Sequence, residues 1–235
     1  SDTDRSESLS DVTISGIPAR ATLSVGNVVN GSVTLTQAQL VNLTITPPDD
    51  SDADFTLSVS VTSTEGDGGD SAVTTVSLPV SVAAVADAPA LTVAAASSDE
   101  DSAMGLDSAA ALSDTDGSES LSDVTISGIP AGATLSVGNV ANGSVTLTQL
   151  QLAGLTITPP DDSDADFTLS VSVTSTEGDG GDSAVTTVSL PVSVAAVADA
   201  PELDAAAASG DEDSAIALDI SAALSDTDGS ESLSD

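Results

Sequence analysis

The sequence predicts an all-β chain in which one sandwich unit recurs end to end. Three observations predict it. First, Ser-Asp-Thr-Asp opens the chain at Ser1 and returns at Ser113 and Ser225, a spacing of 112 residues. Residues 10–19 recur at 122–131, and Leu43 to Ala90 matches Leu155 to Glu202 at every position but the last. A long identical repeat marks an architecture built by stacking one unit. Second, the apolar period is two: Phe167, Leu169, Val171 and Val173 alternate with Thr168, Ser170, Ser172 and Thr174. That is the pattern of a strand with one buried face. Third, turn residues fall every 8–12 positions.

The elements follow in order within the complete unit. Strands are expected at Leu91–Ala95, Ala103–Leu106, Val124–Ile129, Thr134–Val137, Ser144–Thr148 and Leu155–Thr158, then along the Phe167 stretch and along Val188, Leu190, Val192 and Val194. Asn142-Gly143, like Asn30-Gly31, suits a hairpin turn with positive φ. Pro191 has no N–H to give a ladder, so its strand is expected at an edge or a bulge. The Ala-rich Ser108–Leu112 is expected to form a short helical turn. Seven to nine short strands in about 110 residues fit an immunoglobulin-like Greek-key sandwich. The apolar set is Val, Leu, Ile and Ala, with Phe55 and Phe167 as core anchors.

Boundaries are expected near Asp87 and Asp199, where Val-Ala-Asp-Ala-Pro ends a long strand at 85–89 and 197–201. Residues 1–87 then form a partial unit lacking its first strands. Residues 88–199 form a complete unit, and 200–235 supply the first strands of a third. The chain reads as a window on a longer protein. A ten-residue strand plus loops gives roughly 35–45 Å per unit. The tail 200–235 carries the strands that 1–87 lacks, so one copy's tail can complete the next copy's first unit by strand addition, head to tail.

Charge narrows the function classes. There are 38 acidic residues, two cations (Arg5 and Arg20) and no His, for a net charge of -36. Such a chain repels itself or recruits cations. Phosphate recognition needs Lys or Arg, which argues against nucleic acid and against anionic membrane surfaces. Strongly acidic chains are often disordered. Here 40% hydrophobic residues and a mean hydropathy of +0.21 argue for a packed fold. No run approaches the ~18 apolar residues of a membrane span, and no disulfide is available without Cys. With no His, Cys, Lys or Tyr, the serines have no ordinary activating base, so no enzyme is expected.

The acids concentrate in loops. In the complete unit these are Asp99, Glu100 and Asp101; Asp114, Asp116 and Glu119; Asp161, Asp162, Asp164 and Asp166; and the stretch Glu177–Asp182. Asp87 and Asp199 sit in the linkers. The flanking copies repeat the pattern at Asp2, Asp4 and Glu7; at Asp49, Asp50, Asp52 and Asp54; and at Asp211, Glu212 and Asp213. Apart from the Glu177 stretch, these are the candidate metal ligands. Closely spaced carboxylates in short turns suit Ca²⁺, which takes six to eight oxygens at flexible geometry. Mg²⁺ demands stricter geometry, and Zn²⁺ favours His and Cys. If the strands alternate up and down from the N-terminal linker, Asp114–Glu119 and Asp161–Asp166 lie at the end bearing Asp199. Glu177–Asp182 and the Asp99–Asp101 group then lie near Asp87.

Several motifs, in order, carry a resemblance. They are Val-Ala-Asp-Ala-Pro, Asp-Glu-Asp-Ser-Ala, Ser-Asp-Thr-Asp-Gly-Ser-Glu and Val-Thr-Ile-Ser-Gly-Ile-Pro-Ala-Gly-Ala-Thr-Leu. Along its whole length the chain resembles the tandem extender repeats of giant bacterial RTX adhesins, including those of an ice-binding marine adhesin. The resemblance implies cadherin-like immunoglobulin domains, type I secretion, calcium at domain junctions, and an extracellular stalk at the cell surface or in a biofilm. Arg5 departs from it, standing where the motif has Gly. The expected function is a calcium-rigidified structural spacer whose partners are neighbouring repeats. The alternative is a glycan- or ice-binding module within the adhesin.

Overall fold

The computed structural model describes residues 7–114, 116–226 and 229–234. Asp2 and Asp4 lie outside the described residues. The fold is mostly β, with several antiparallel sheets. It forms two compact units. Unit 1 gathers the chain up to Ala86 with the segments Asp114–Glu119 and Glu177–Asp182; unit 2 holds Asp87–Ser113, Ser120–Thr176 and the chain from Ser183 onward. No helix among the described residues is long and apolar enough to cross a membrane.

In unit 1 the long strand Phe55–Glu65 organises a five-stranded sheet. It pairs antiparallel with Glu7–Leu9, with Val12–Ser15 and, over its whole length, with Ser71–Val80. Val12–Ser15 pairs in turn with Ser32–Leu35. Alternation explains the core: Val12, Ile14, Val33, Leu35 and Leu57 point inward and are buried.

Unit 2 repeats this sheet and extends it. Phe167–Glu177 pairs antiparallel with Ser183–Ala195 and with Val124–Ser127. Val124–Ser127 pairs with Ser144–Leu147. Ala96–Asp99 adds a strand parallel to the end of Ser183–Ala195, matching Val192 with Ala96 and Ala195 with Asp99. This parallel pair is absent from the sequence expectations. Before Val192 that strand has only the Phe167 strand as a ladder partner among the described residues, so Pro191 stands on an edge stretch. Met104–Gly105 pairs with Thr156–Thr158, which pairs with Thr134–Leu135. Glu202–Ala205 and Ile220–Ala223 form a separate two-stranded ribbon.

The Ala-rich segment corrects one expectation. Ser108–Ala111 is a strand, paired antiparallel with Ala90–Val93, not a helical turn. Ala favours helix in isolation, but pairing with a neighbouring strand overrides so weak a preference. A helical turn forms elsewhere, at Gln149–Leu152. The Thr148 N–H donates to Gln151 Oε1 at 2.9 Å, closing the start of that turn.

The two copies of one sequence differ in burial. Leu190 is 1% exposed, whereas its counterpart Leu78 is 50% exposed. In unit 2 the apolar cluster is completed by Ala96, Met104 and Leu106, with Leu91, Val93 and Ala110 packed on it. Unit 1 has no such strands among its described residues. The Asn142-Gly143 turn has φ of 53° and 71°, as the hairpin reading requires. At Gly128 (φ +82°), an added Cβ would fall 2.8 Å from the Thr168 carbonyl oxygen, so the Ser-Gly-Ile-Pro motif needs glycine there.

Candidate metal centre

Within unit 2, one group of three carboxylates brings oxygens within 4.8 Å of one another: Asp101, Asp162 and Asp199. It has the donor set to hold a metal ion, and all three residues are among those the sequence singles out.

The group is built at the end of unit 2 where the Ser183 strand stops. The Glu100 N–H donates to the Ala195 carbonyl at 2.9 Å, so the turn after Ala96–Asp99 emerges beside the linker. Asp101 takes a left-handed backbone there (φ 56°), and Asp162 does so in its own loop (φ 58°). Asp is one of the few residues that accept this conformation readily. The Asp162 N–H then donates to Asp101 Oδ1 at 3.0 Å, locking loop to turn. The linker is fastened too. Buried Glu100 accepts the Val197 N–H through Oε1. The Asp199 N–H donates to Glu231 Oε1.

The Asp114–Glu119 loop, in unit 1, shows how such an acidic turn is shaped. Asp114 Oδ1 accepts the Asp116 N–H at 2.7 Å, and Asp116 Oδ1 accepts the Ser118 N–H at 2.8 Å. Such i to i+2 bonds are turns made by Asp side chains. Ser118 Oγ donates to Asp114 Oδ2 at 3.2 Å. The hydroxyl and N–H of Ser118 hold the Asp116 carboxyl below its ordinary range. The same design recurs 112 residues on: Ser230 Oγ donates to Asp226 Oδ2 at 2.8 Å, and Ser225 Oγ donates to the Ala200 carbonyl at 2.8 Å.

Placement at the two ends differs from the alternating-strand expectation in two respects. The Asp99–Asp101 group lies with Asp199, not Asp87, because Ala96–Asp99 runs parallel to the last strand. The strand leading to Asp114 runs back to the Ala88 end of unit 2, not to the end that bears Asp199. The reason is the return strand: Ala111 pairs with Ala90, and Ser113 Oγ donates to the Ala88 carbonyl at 2.6 Å. The chain has therefore come back to its starting end before Asp114. Asp162 lies with Asp199 as expected.

Other candidates serve elsewhere. Asp166 Oδ1 accepts the Val194 N–H at 2.8 Å and Ser193 Oγ at 3.0 Å, closing the mouth of the hairpin. Asp54 does the same for the Val82 N–H at 2.8 Å. Glu7, Asp49, Asp50, Asp52, Asp99, Asp161 and Asp164 fall outside the Asp101, Asp162 and Asp199 group, and so do exposed Asp211, Glu212 and Asp213. Three residues beyond the expected ligands matter. Asp226 and Glu231 repeat the Asp114 and Glu119 positions, and the return of Ser-Asp-Thr-Asp at Ser225 signals them. Glu177 is 4% exposed, and burial pushes its carboxyl up, helped by the charges of Glu119, Asp114 and Asp52 against a Ser118 hydrogen bond.

No protein-family model matches the chain. No curated protein matches it either. Among solved structures it is similar to an endo-fucoidan hydrolase, MfFcnA4 of glycoside hydrolase family 107, at 13% identity and a TM-score of 0.22. That match covers 92% of this chain and 34% of the hydrolase. So loose a likeness carries neither fold nor activity.

Proposed function

We propose that the chain is a structural spacer: tandem immunoglobulin-like, cadherin-like Greek-key sandwiches that calcium stiffens, within a bacterial cell-surface adhesin or biofilm filament. The observation that carries this reading is the Asp101, Asp162 and Asp199 group. It joins the tips of two loops to a linker whose amides at Val197 and Asp199 are already held by Glu100 and Glu231. An ion bound there fixes the linker to the end of the unit. Three carboxylates without His or Cys favour a hard cation, and extracellular calcium modules often bind at about 10⁻⁴ to 10⁻³ M. Weak affinity leaves the repeats loose in a low-calcium cytosol, which suits secretion, and rigid outside. The near-identity of the repeats supports length as the selected property over a single active site.

The test is a pair of thermal melts of the 235-residue chain, in millimolar CaCl₂ and in chelator. A markedly higher Tm in calcium is expected. Superimposable curves would reduce the acidic loops to solvated surface.

A further inference from the structure

Residues 43–86 repeat 155–198 without a single difference, yet their apolar side chains are less buried. Leu155, Ile157, Val171 and Val173 are each no more than 1% exposed, whereas Leu43, Ile45, Val59 and Val61 are only half-buried. The sequence is the same, so the difference lies in what covers it. In unit 2 the cover is drawn from 88–112. Ala96–Asp99 runs parallel to the last strand, and Met104–Gly105 pairs with Thr156–Thr158. The Leu106 N–H donates to the Leu155 carbonyl at 2.8 Å, and Leu91 and Ala110 pack on the apolar cluster. In unit 1, among the described residues, Ser71–Val80 has a ladder partner on one edge, Phe55–Glu65.

Residues 200–224 already carry the form of 88–112. Glu202–Ala205 pairs with Ile220–Ala223 in the register that joins Ala90–Val93 to Ser108–Ala111. The Ala206 N–H donates to the Asp219 carbonyl at 3.0 Å, as the Ala94 N–H does to that of Asp107. The covering side chains are nevertheless exposed. Leu218 is 70% exposed where its counterpart Leu106 is 1% exposed, and Leu203 and Ile216, at the positions of Leu91 and Met104, are exposed too. The differences between the copies suit a cover. Glu202 and Asp204 replace Ala90 and Thr92, which face solvent in unit 2. Ile220 replaces Ser108, whose Oγ is buried there without a hydrogen bond. An apolar group at that position removes the cost of an unsatisfied hydroxyl.

We propose that unit 1 receives residues 200–224 of a second copy of this chain, joining copies head to tail by strand addition. The matching contact inside unit 2 identifies the occupant and sets its register. A shift of 112 residues puts Ala208 beside Val80 in a parallel pair and Ile216 opposite Ile45. Leu218 then joins Leu43, Val59 and Leu78 in one cluster, as Leu106 joins Leu155, Val171 and Leu190. The tail ribbon is paired beforehand, so docking it orders little new chain. Two different surfaces of one chain meet, so each copy both gives and receives, and assembly propagates unless it closes into a ring. The net charge of -36 opposes association, and salt weakens that opposition. The inference goes beyond the spacer reading and needs no metal ion.

The test is analytical ultracentrifugation of the whole chain in about 0.15 M salt, where exposed charges are screened beyond roughly 8 Å. The mass of the parent should rise from 22.7 kDa to at least double that as concentration increases. Leu78→Asp spoils the receiving face and leaves the tail intact; Leu218→Asp spoils the tail and leaves the face intact. Each variant alone should stay monomeric. An equimolar mixture should form a dimer, because one variant supplies the tail and the other the face. Leu218 is exposed, and the tail belongs to unit 2, so loosening of unit 1 by Leu78→Asp does not remove the tail it contributes. A parent that stays monomeric at every concentration would overturn the inference. So would a single variant that associates as the parent does, or a mixture that stays monomeric. Each of these results leaves the calcium-stiffened spacer reading standing.

Discussion

The Asp162 amide donates to Oδ1 of Asp101 across 61 residues of sequence, and this bond joins two acidic turns into one carboxylate group. Asp101 is thus a hydrogen-bond acceptor and a proposed metal ligand, and substitutions can separate the two roles.

Asp101→Asn keeps an acceptor oxygen and removes the charge. In chelator it should be neutral or slightly stabilising, because three clustered carboxylates repel. In calcium it should lower Tm by several degrees. Asp101→Ala also loses the hydrogen bond and should cost about 1 kcal/mol even in chelator. Melts of both variants in both buffers check this.

Asp166 behaves differently, since its Oδ1 accepts from the Val194 N–H and from Ser193 Oγ. Asp166→Ala should destabilise by about 1–3 kcal/mol through the unpaired amide. The loss should be equal with and without calcium. Urea unfolding in the two buffers measures it, and a calcium-dependent loss would give Asp166 a metal role instead.

Two carboxyls predict opposite pH effects in chelator. The Glu177 carboxyl is raised in the folded state, so the fold binds its proton more tightly than the unfolded chain does. Its charged form therefore destabilises at neutral pH, and the penalty fades as pH falls through the raised pKa toward 4.5. The Asp116 carboxyl is lowered, so it contributes stability above 3.8 that is lost as pH falls through its folded pKa. Tm in chelator should rise on mild acidification and fall again below about pH 4. Glu177→Gln should reduce the rise, the rest being relief of the chain's general self-repulsion, and Asp116→Asn should blunt the fall.

The proposed strand addition between copies predicts self-association of the 235-residue chain. Leu78 is 50% exposed where Leu190 is 1% exposed, and burying such a side chain is worth about 2 kcal/mol. Residues 200–224 echo 88–112, the stretch that covers this face in unit 2, and Leu203, Leu218 and Ile220 are exposed. Light scattering should show mass rising with concentration, and removing residues 200–235 should abolish the rise. A mass that stays constant would contradict strand addition.

Much of the strand pattern was legible because alternation and turn chemistry are local. The Phe167 strand, the Asn142-Gly143 turn and the edge position of Pro191 follow from residue type alone. Ser108–Ala111 was not legible as a strand, because its conformation is decided by its pairing with Ala90–Val93. The end at which Asp101 lies depends on the parallel pairing of Ala96–Asp99, which spacing does not reveal. Glu177 was visible as an acid in a glycine-rich stretch. Its burial beside the Asp114–Glu119 loop depends on the pairing of distant strands.

The most direct test of calcium stiffening is small-angle scattering of one sample in calcium and then in chelator. A rigid, extended particle in calcium that becomes more flexible on chelation is the predicted result. Identical scattering profiles in the two buffers would contradict the claim that ions in these carboxylate groups set the stiffness of the chain.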